Sequence, residues 1–231
     1  MLCQYCLAER LSGDTYCGKC GRRHSVPAIA TSLPGRRQLT LMFCDLAGFT
    51  EMSRRLDPEE LRHVVAAHQE RFRRTINAFD GFIARYMGDG LLAYFGFPVA
   101  HEDDADRALY TALRVVQESK GLRDENNHMP VRVGIATGIV VVGDQIGSGQ
   151  SAESLAVGEA PNLAARLQAL ADPDSVLVSD STRLLCGDRF QFEDRGTNAL
   201  KGFEQPVRCW KVVDAPAART RFRTSRAPFT L

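Results

Sequence analysis

Two apolar segments joined by a glycine-rich turn restrict the fold of this chain more than any other part of its sequence. "GFIARYM" and "LLAYFGF" occupy residues 81–87 and 91–97, and "GDG" joins them. An Asp-Gly pair between two such segments is typical of a β-hairpin. The chain is therefore expected to contain an antiparallel pair of strands with Asp89 at its tip.

The segments on either side of this hairpin extend the pattern to a fold class. An apolar run at Leu39–Cys44 predicts a buried strand, and a long amphipathic helix follows, with Asp57 as its N-cap and Pro58 at its first position. A second helix is predicted at about 102–118, and "VRVGIATGIVVVGDQIG" at 131–147 predicts two further strands. This order predicts an α+β fold with a ferredoxin-like βαββαβ core.

Later elements complete the same domain, which is predicted to span residues 37–213. "GEAPNLAARLQALA" predicts a helix whose buried side carries Leu163, Leu167 and Leu170. Short strands are predicted around "SVLVS", "FQFED" and "RCWKVV". The basic tail at 214–231 has no period and is typical of a linker.

Four cysteines near the start, Cys3, Cys6, Cys17 and Cys20, form a C-x2-C-x10-C-x2-C pattern. This spacing predicts a small zinc ribbon at residues 1–24, in which four thiolates hold a structural Zn²⁺, followed by a linker at 25–36. Disulfides and a redox CxxC motif are the less favoured alternatives. The remaining cysteines, Cys44, Cys186 and Cys209, lie in apolar segments and are predicted to be core residues.

The net charge and the hydropathy of the chain indicate which partners and which cellular location to expect. A formal net charge of +1 favours no nucleic-acid partner, and the longest apolar run, "GIVVVG", is too short to cross a membrane. The first residues have no pattern of a secretion signal. We therefore expect a cytoplasmic protein without a membrane partner.

The predicted strand order brings two carboxylates together. Asp45 follows the first strand, and Asp89 lies at the hairpin tip, so both can lie at one edge of the sheet. Such a pair favours Mg²⁺ and leaves positions for phosphate oxygens. The loop "DLAGFT" offers the backbone N–H groups of Gly48, Phe49 and Thr50 to a triphosphate. Taken alone, each aspartate favours a simpler interpretation, Asp45 as a helix cap and Asp89 as a turn residue.

Three motifs together carry a resemblance to a known family. "FCDLAGFT", "YMGDGLLAYFG" and "VGEAPNLAARLQ", in this order, resemble the class III adenylate and guanylate cyclase catalytic domain. The resemblance implies attack of a ribose 3′-hydroxyl on the α-phosphate of the same nucleotide, which converts ATP, or alternatively GTP, to a 3′,5′-cyclic monophosphate and pyrophosphate. It implies two Mg²⁺ or Mn²⁺ ions held by Asp45, Asp89 and the carbonyl of Leu46.

The same resemblance implies roles for residues later in the chain. Asn162 and Arg166 match a pair that orients the ribose and stabilises the transition state, and Lys201 matches a lysine that binds the terminal phosphates. In such domains the site forms between two copies arranged head to tail. A chain with one such domain is therefore expected to act as a homodimer.

Two positions depart from the family pattern. Arg85 replaces a lysine that contacts the purine. Leu155 replaces an Asp or Thr that accepts a hydrogen bond from the adenine amino group. These changes leave an alternative open, in which a weak or silent domain binds nucleotide or dimerises to regulate a partner or a downstream ATPase domain. The zinc ribbon is then a candidate for docking that protein partner.

Overall fold

The computed structural model describes residues 35–121, 129–143 and 156–215. The predicted zinc ribbon with Cys3, Cys6, Cys17 and Cys20, residues 216–231 of the predicted tail, and Leu155 lie outside these ranges. The strands are β1 (Gly35–Leu46), β2 (Phe82–Met87), β3 (Gly90–Phe95), β4 (Val131–Val142), β5 (Ala156–Val157), β6 (Ser175–Ser179), β7 (Gln191–Asn198) and β8 (Val207–Asp214). The helices are α1 (Phe49–Arg55), α2 (Pro58–Ala78), α3 (Asp104–Gly121), α4 (Glu159–Leu170) and α5 (Asp180–Cys186).

The described strands form one sheet in the order β2-β3-β1-β4-β6-β8-β7, and β5 pairs with β4. Only β4 and β6 run parallel among the described pairs. The part β2-β3-β1-β4, with α2 and α3 as its connecting helices, is the ferredoxin-like arrangement that the sequence predicts. The predicted α+β fold is confirmed in this part of the chain.

Two apolar cores cover the two faces of the sheet. Residues of α2, α3 and α5 pack on one face, around Phe72, Ile76 and Leu109. Helix α4 packs on the other face, around Leu167 and Tyr94. Cys44, Cys186 and Cys209 are buried thiols, as predicted. Among the described helices, none combines the length and the hydropathy that a membrane span requires.

Helix α2 begins as the sequence predicts. The Asp57 side chain accepts a hydrogen bond from the backbone N–H of Glu59 at 2.9 Å, and Pro58 occupies the first turn. This cap satisfies one of the N–H groups that a helix start leaves without an intrahelical partner. The short helix α1, directly before it, was not predicted.

Two predicted features are wrong. The segment 131–142 is one long strand, β4, because its glycines do not break it. A Cβ at Gly134 would overlap the backbone of Ala164 and Gln168, so this glycine allows α4 to lie directly on the strand. Of the three leucines predicted on the buried side of α4, Leu167 is buried and Leu163 is half-buried, but Leu170 is 41% exposed; Ala160 and Ala164 complete the buried side.

Candidate active site

The structure brings Asp45 and Asp89 together at one edge of the sheet. Strand β1 pairs with β3 up to Cys44 and Leu91, which places Asp45 beside Gly90 and the hairpin tip. The Asp45 carboxyl group lies near enough to Asp89 to raise the pKa of the Asp89 side chain. A Cβ at position 90 would lie 2.8 Å from the carbonyl oxygen of Cys44 and 3.2 Å from Asp45 Oδ1. Glycine is therefore required at this position for the close approach.

The electrostatics of this pair favour a cation. Burial, and then the adjacent Asp45 carboxyl, raise the pKa of Asp89 to about 7, although the backbone N–H groups of Asp89 and Leu46 lower it. Two carboxylates in contact cannot both ionise easily without a positive charge nearby. Burial also raises the pKa of the Cys44 thiol beside them, which therefore stays protonated. A divalent cation bound here would therefore displace this proton.

The oxygen donors at this edge fit an ion such as Mg²⁺ or Mn²⁺, which also binds waters and phosphates, better than an ion whose ligands all come from the protein. Within the described residues there is no group of three or more His, Cys, Asp or Glu side chains that could hold an ion. Two carboxylates with the neighbouring backbone of Leu46 leave coordination positions for waters and phosphate oxygens. Magnesium binds proteins in this way when it also binds a nucleotide.

The loop after Asp45 turns sharply into α1. Gly48 has a φ of 83°, and its carbonyl accepts hydrogen bonds from the N–H groups of Glu51 at 3.1 Å and Met52 at 3.0 Å. Phe49 packs its ring against the core, so only its backbone is available to a phosphate. Thr50 is exposed, and its carbonyl accepts a hydrogen bond from the Ser53 hydroxyl at 2.9 Å.

A second part of the site is a cavity of about 280 Å³ that contains both Arg85 and Asn162. Its other walls are mostly apolar and include Phe43, Leu92, Ala156 and Pro161. The pairing of β2 with β3 shifts its register between Ile83 and Arg85, just before the arginine. The Tyr94 hydroxyl, also in the wall, accepts a hydrogen bond from the backbone N–H of Ala156 at 3.1 Å.

Helix α4 presents the remaining predicted residues on its exposed side. Asn162 and Arg166 are both exposed and lie about one turn apart. Arg166 Nε donates a hydrogen bond to the carbonyl of Lys201 at 3.2 Å, which brings the Lys201 loop to this helix. The described residues thus form two groups, the carboxylate pair at the strand ends and the cavity with α4.

Two glutamines near the carboxylates were missed by reasoning from the sequence. Gln168 Nε2 lies 3.4 Å from Asp45 Oδ2, and Gln69 Nε2 lies 2.9 Å from the carbonyl oxygen of Gly88. Neither belongs to a local pattern that indicates such a contact. Gln168 is, however, the last residue of "VGEAPNLAARLQ", and its place in that motif was the available signal.

The sequence is similar to that of known proteins over most of its length. Residues 33–214 match the family described as "Adenylate and Guanylate cyclase catalytic domain". Adenylate cyclase 1 of Rhizobium meliloti (strain 1021) is 30% identical over 185 residues, which are 77% of this chain and 28% of that protein. The chain spans less than half the length of the first curated relatives that it matches.

Two solved structures have a similar fold. The adenylyl cyclase CyaB from P. aeruginosa is 29% identical with a TM-score of 0.74, and the match covers 79% of this chain and 97% of that one. The guanylyl cyclase Cya2 is 30% identical with a TM-score of 0.75, and the match covers 81% of this chain and 97% of that one. The similarity thus extends equally to proteins named for adenine and for guanine nucleotides.

Proposed function

Because this chain belongs to the family of adenylate and guanylate cyclase catalytic domains, we propose that it converts ATP to 3′,5′-cyclic AMP and pyrophosphate in intracellular signalling. The observation that carries the proposal is the placement of Asp45 beside the Asp89 turn at the end of the β1–β3 pair. The similarity to a protein named adenylate cyclase supports ATP as the substrate. GTP is the alternative.

In the proposed reaction each part of the site has one task. Asp45, Asp89 and the carbonyl of Leu46 would hold two Mg²⁺ or Mn²⁺ ions, and the backbone N–H groups of 48–50 would contact the phosphates. Bound ions would lower the pKa of the ribose 3′-hydroxyl and stabilise the negative charge on the leaving pyrophosphate.

The exposed side of α4 is assigned to the nucleotide. Asn162 orients the ribose, and Arg166 stabilises the charge that develops at the α-phosphate. Lys201 binds the terminal phosphates. The hydrogen bond between Arg166 Nε and the Lys201 carbonyl supports this grouping, because it places the Lys201 backbone beside Arg166.

We propose that the two groups of residues meet across a head-to-tail homodimer. The carboxylate pair of one protomer then faces Asn162 and Arg166 of its partner, which gives two equivalent sites. An apolar surface supports this assembly, since Ile139, Val141 and Val157 are 67%, 40% and 60% exposed. Val141 and Val157 are direct neighbours in the β4–β5 pair. A contiguous apolar surface of this kind is typical of an interface.

The cavity with Arg85 is proposed to bind the purine. A guanidinium only donates hydrogen bonds, and Leu155 cannot accept one from an amino group. We therefore expect weaker selection of the base than of the triphosphate, and a low turnover. Outside the described residues, we propose a structural Zn²⁺ at Cys3, Cys6, Cys17 and Cys20, a protein partner for this ribbon, and a cytoplasmic location.

The test is cyclic nucleotide formation by the purified chain with ATP and with GTP, in Mg²⁺ and in Mn²⁺. Asp45→Ala and Asp89→Ala are expected to abolish the product, and Asp188→Ala, at an exposed acid in the turn after α5, is expected to retain it. Retained nucleotide binding without product in the unmodified chain would contradict the proposal. It would favour the alternative of a binding or dimerising domain.

A further inference from the structure

The Gln168 side chain extends from helix α4 to the edge of the sheet that carries Asp45 and Asp89. Helix α4 lies directly against β4, because Gly134 has no side chain where the backbone of Gln168 passes. Gln168 Nε2 then lies 3.4 Å from Asp45 Oδ2, in a half-buried setting. The other oxygen of this carboxylate, Oδ1, accepts a hydrogen bond from the backbone N–H of Leu46 at 2.9 Å. Both oxygens of Asp45 therefore have a donor within the protein.

Gln69 reaches the hairpin tip from the opposite face of the sheet. Its Nε2 donates a hydrogen bond of 2.9 Å to the carbonyl of Gly88, the residue before Asp89. Gly88 has a φ of 63°, so the turn depends on a backbone conformation that few other residues adopt. The turn is thus fixed by helix α2 on one side and by the tight fit of Gly90 against β1 on the other.

We propose that Gln168 and Gln69 are positioning residues that hold Asp45 and the Asp89 turn in the geometry that binds divalent cations. This inference rests on the proposed function of the same site. A glutamine amide donates a hydrogen bond without adding charge, so it orients a carboxylate and leaves the cation to balance the charge. Groups that hold metal ligands in this way affect metal affinity and activity by about 10- to 100-fold.

The position of these amides predicts which constant changes. Gln168 and Gln69 contact a ligand side chain and a turn carbonyl. Their loss should therefore weaken cation binding and leave the apparent affinity for the nucleotide, measured at saturating cation, nearly unchanged. A residue that only supports the fold would instead lower the thermal stability without this selective effect.

The experiment compares the full-length chain with Gln168→Met and Gln69→Met. Methionine has a similar length and no N–H donor. The control is Gln117→Met on α3, since Gln117 is an exposed glutamine on a helix. Binding of Mn²⁺ is followed by the electron paramagnetic resonance signal of the free ion, with and without α,β-methylene ATP, which cannot be cyclised. Thermal midpoints are measured in EDTA, and the Mn²⁺ dependence of activity is recorded separately.

We expect about tenfold weaker Mn²⁺ binding in each variant, wild-type binding in the control, and unchanged midpoints in EDTA. Wild-type Mn²⁺ affinity in both variants would overturn the inference and leave the proposed function standing. Weaker binding that tracks a lower midpoint in EDTA would also overturn it, since the role would then be structural. Absence of Mn²⁺ binding by the unmodified chain would overturn the proposed function, and the inference with it.

Discussion

Replacement of Gly134 by alanine is predicted to displace the helix that carries Asn162 and Arg166. A Cβ at this position would lie 2.7 Å from the Cα of Gln168, and closer to the Gln168 nitrogen and the Ala164 oxygen. Carbon atoms in good contact are about 3.5–4.0 Å apart. Because these neighbours are backbone atoms, no side-chain rotation relieves the overlap, and the whole of α4 must retreat from β4.

The magnitude follows from this distance. A retreat of about 1.3 Å would lengthen the shortest of these contacts, 2.1 Å to the Gln168 nitrogen, to an ordinary contact distance of about 3.4 Å. Overpacking of this kind costs about 1–3 kcal/mol of folding free energy, which corresponds to a thermal midpoint lower by about 2–12 °C in a domain of this size. A displacement of about 1 Å at catalytic groups can reduce the rate by about 100-fold. Gly134→Ala should therefore lose much more activity than stability.

The matched control is Gly138→Ala, four residues further along β4 and on the same face. There the new Cβ would meet only the Ala160 methyl group, at 3.0 Å. This variant should keep a rate within a few-fold of the unmodified chain. Thermal unfolding and the rate of cyclic nucleotide formation at saturating nucleotide are measured for both. Equal rates in Gly134→Ala and the unmodified chain would refute the argument.

Three further predictions concern a buried histidine, a helix cap and a buried hydroxyl. Burial, and then Arg71, lower the pKa of His68 from 6.5 to about 4. The unfolded chain therefore binds a proton near pH 6.5, where the folded chain does not. The unfolding free energy should fall by at most about 3 kcal/mol as the pH decreases from 6.5 to 4, and urea unfolding of His68→Phe should lack this decrease. Asp57→Ala should lower the unfolding free energy by about 1 kcal/mol, and an unchanged thermal midpoint would contradict the cap. Tyr94→Phe should lower the unfolding free energy by about 1–3 kcal/mol, because the buried Ala156 N–H loses its acceptor, and it should raise the KM for the nucleotide. An unchanged KM would contradict a role of this cavity wall in nucleotide binding.

The local patterns of the sequence predicted the elements that depend on local chemistry. The Asp-Gly turn of the hairpin and the Asp57 cap of α2 are set by residues within a few positions, and both are present. The contact between Asp45 and Asp89 was also predictable, because the strand order alone places these two strand ends side by side.

The features that were missed depend on packing between distant segments. In the sequence, the glycines of β4 resemble strand breaks. Their role depends on α4, because Gly134 lies against Gln168, a residue more than thirty positions later in the chain. The exposed Leu170 and the contact of Gln168 with Asp45 follow from the rotation of that same helix, which the small residues Ala160 and Ala164 determine by packing closely. A helical period defines a face but does not determine its exact rotation against the sheet.

The central claim, that the carboxylate pair and α4 form one cyclase site across two protomers, is tested most directly by mixing two inactive variants. Asp45→Ala lacks one carboxylate of the proposed metal site, and Arg166→Ala lacks the guanidinium on α4. A mixed dimer would retain one complete site, so an equal mixture should recover about a quarter of the unmodified activity by random pairing. A mixture that stays at the sum of the separate variants, beside an active unmodified chain, would contradict the account.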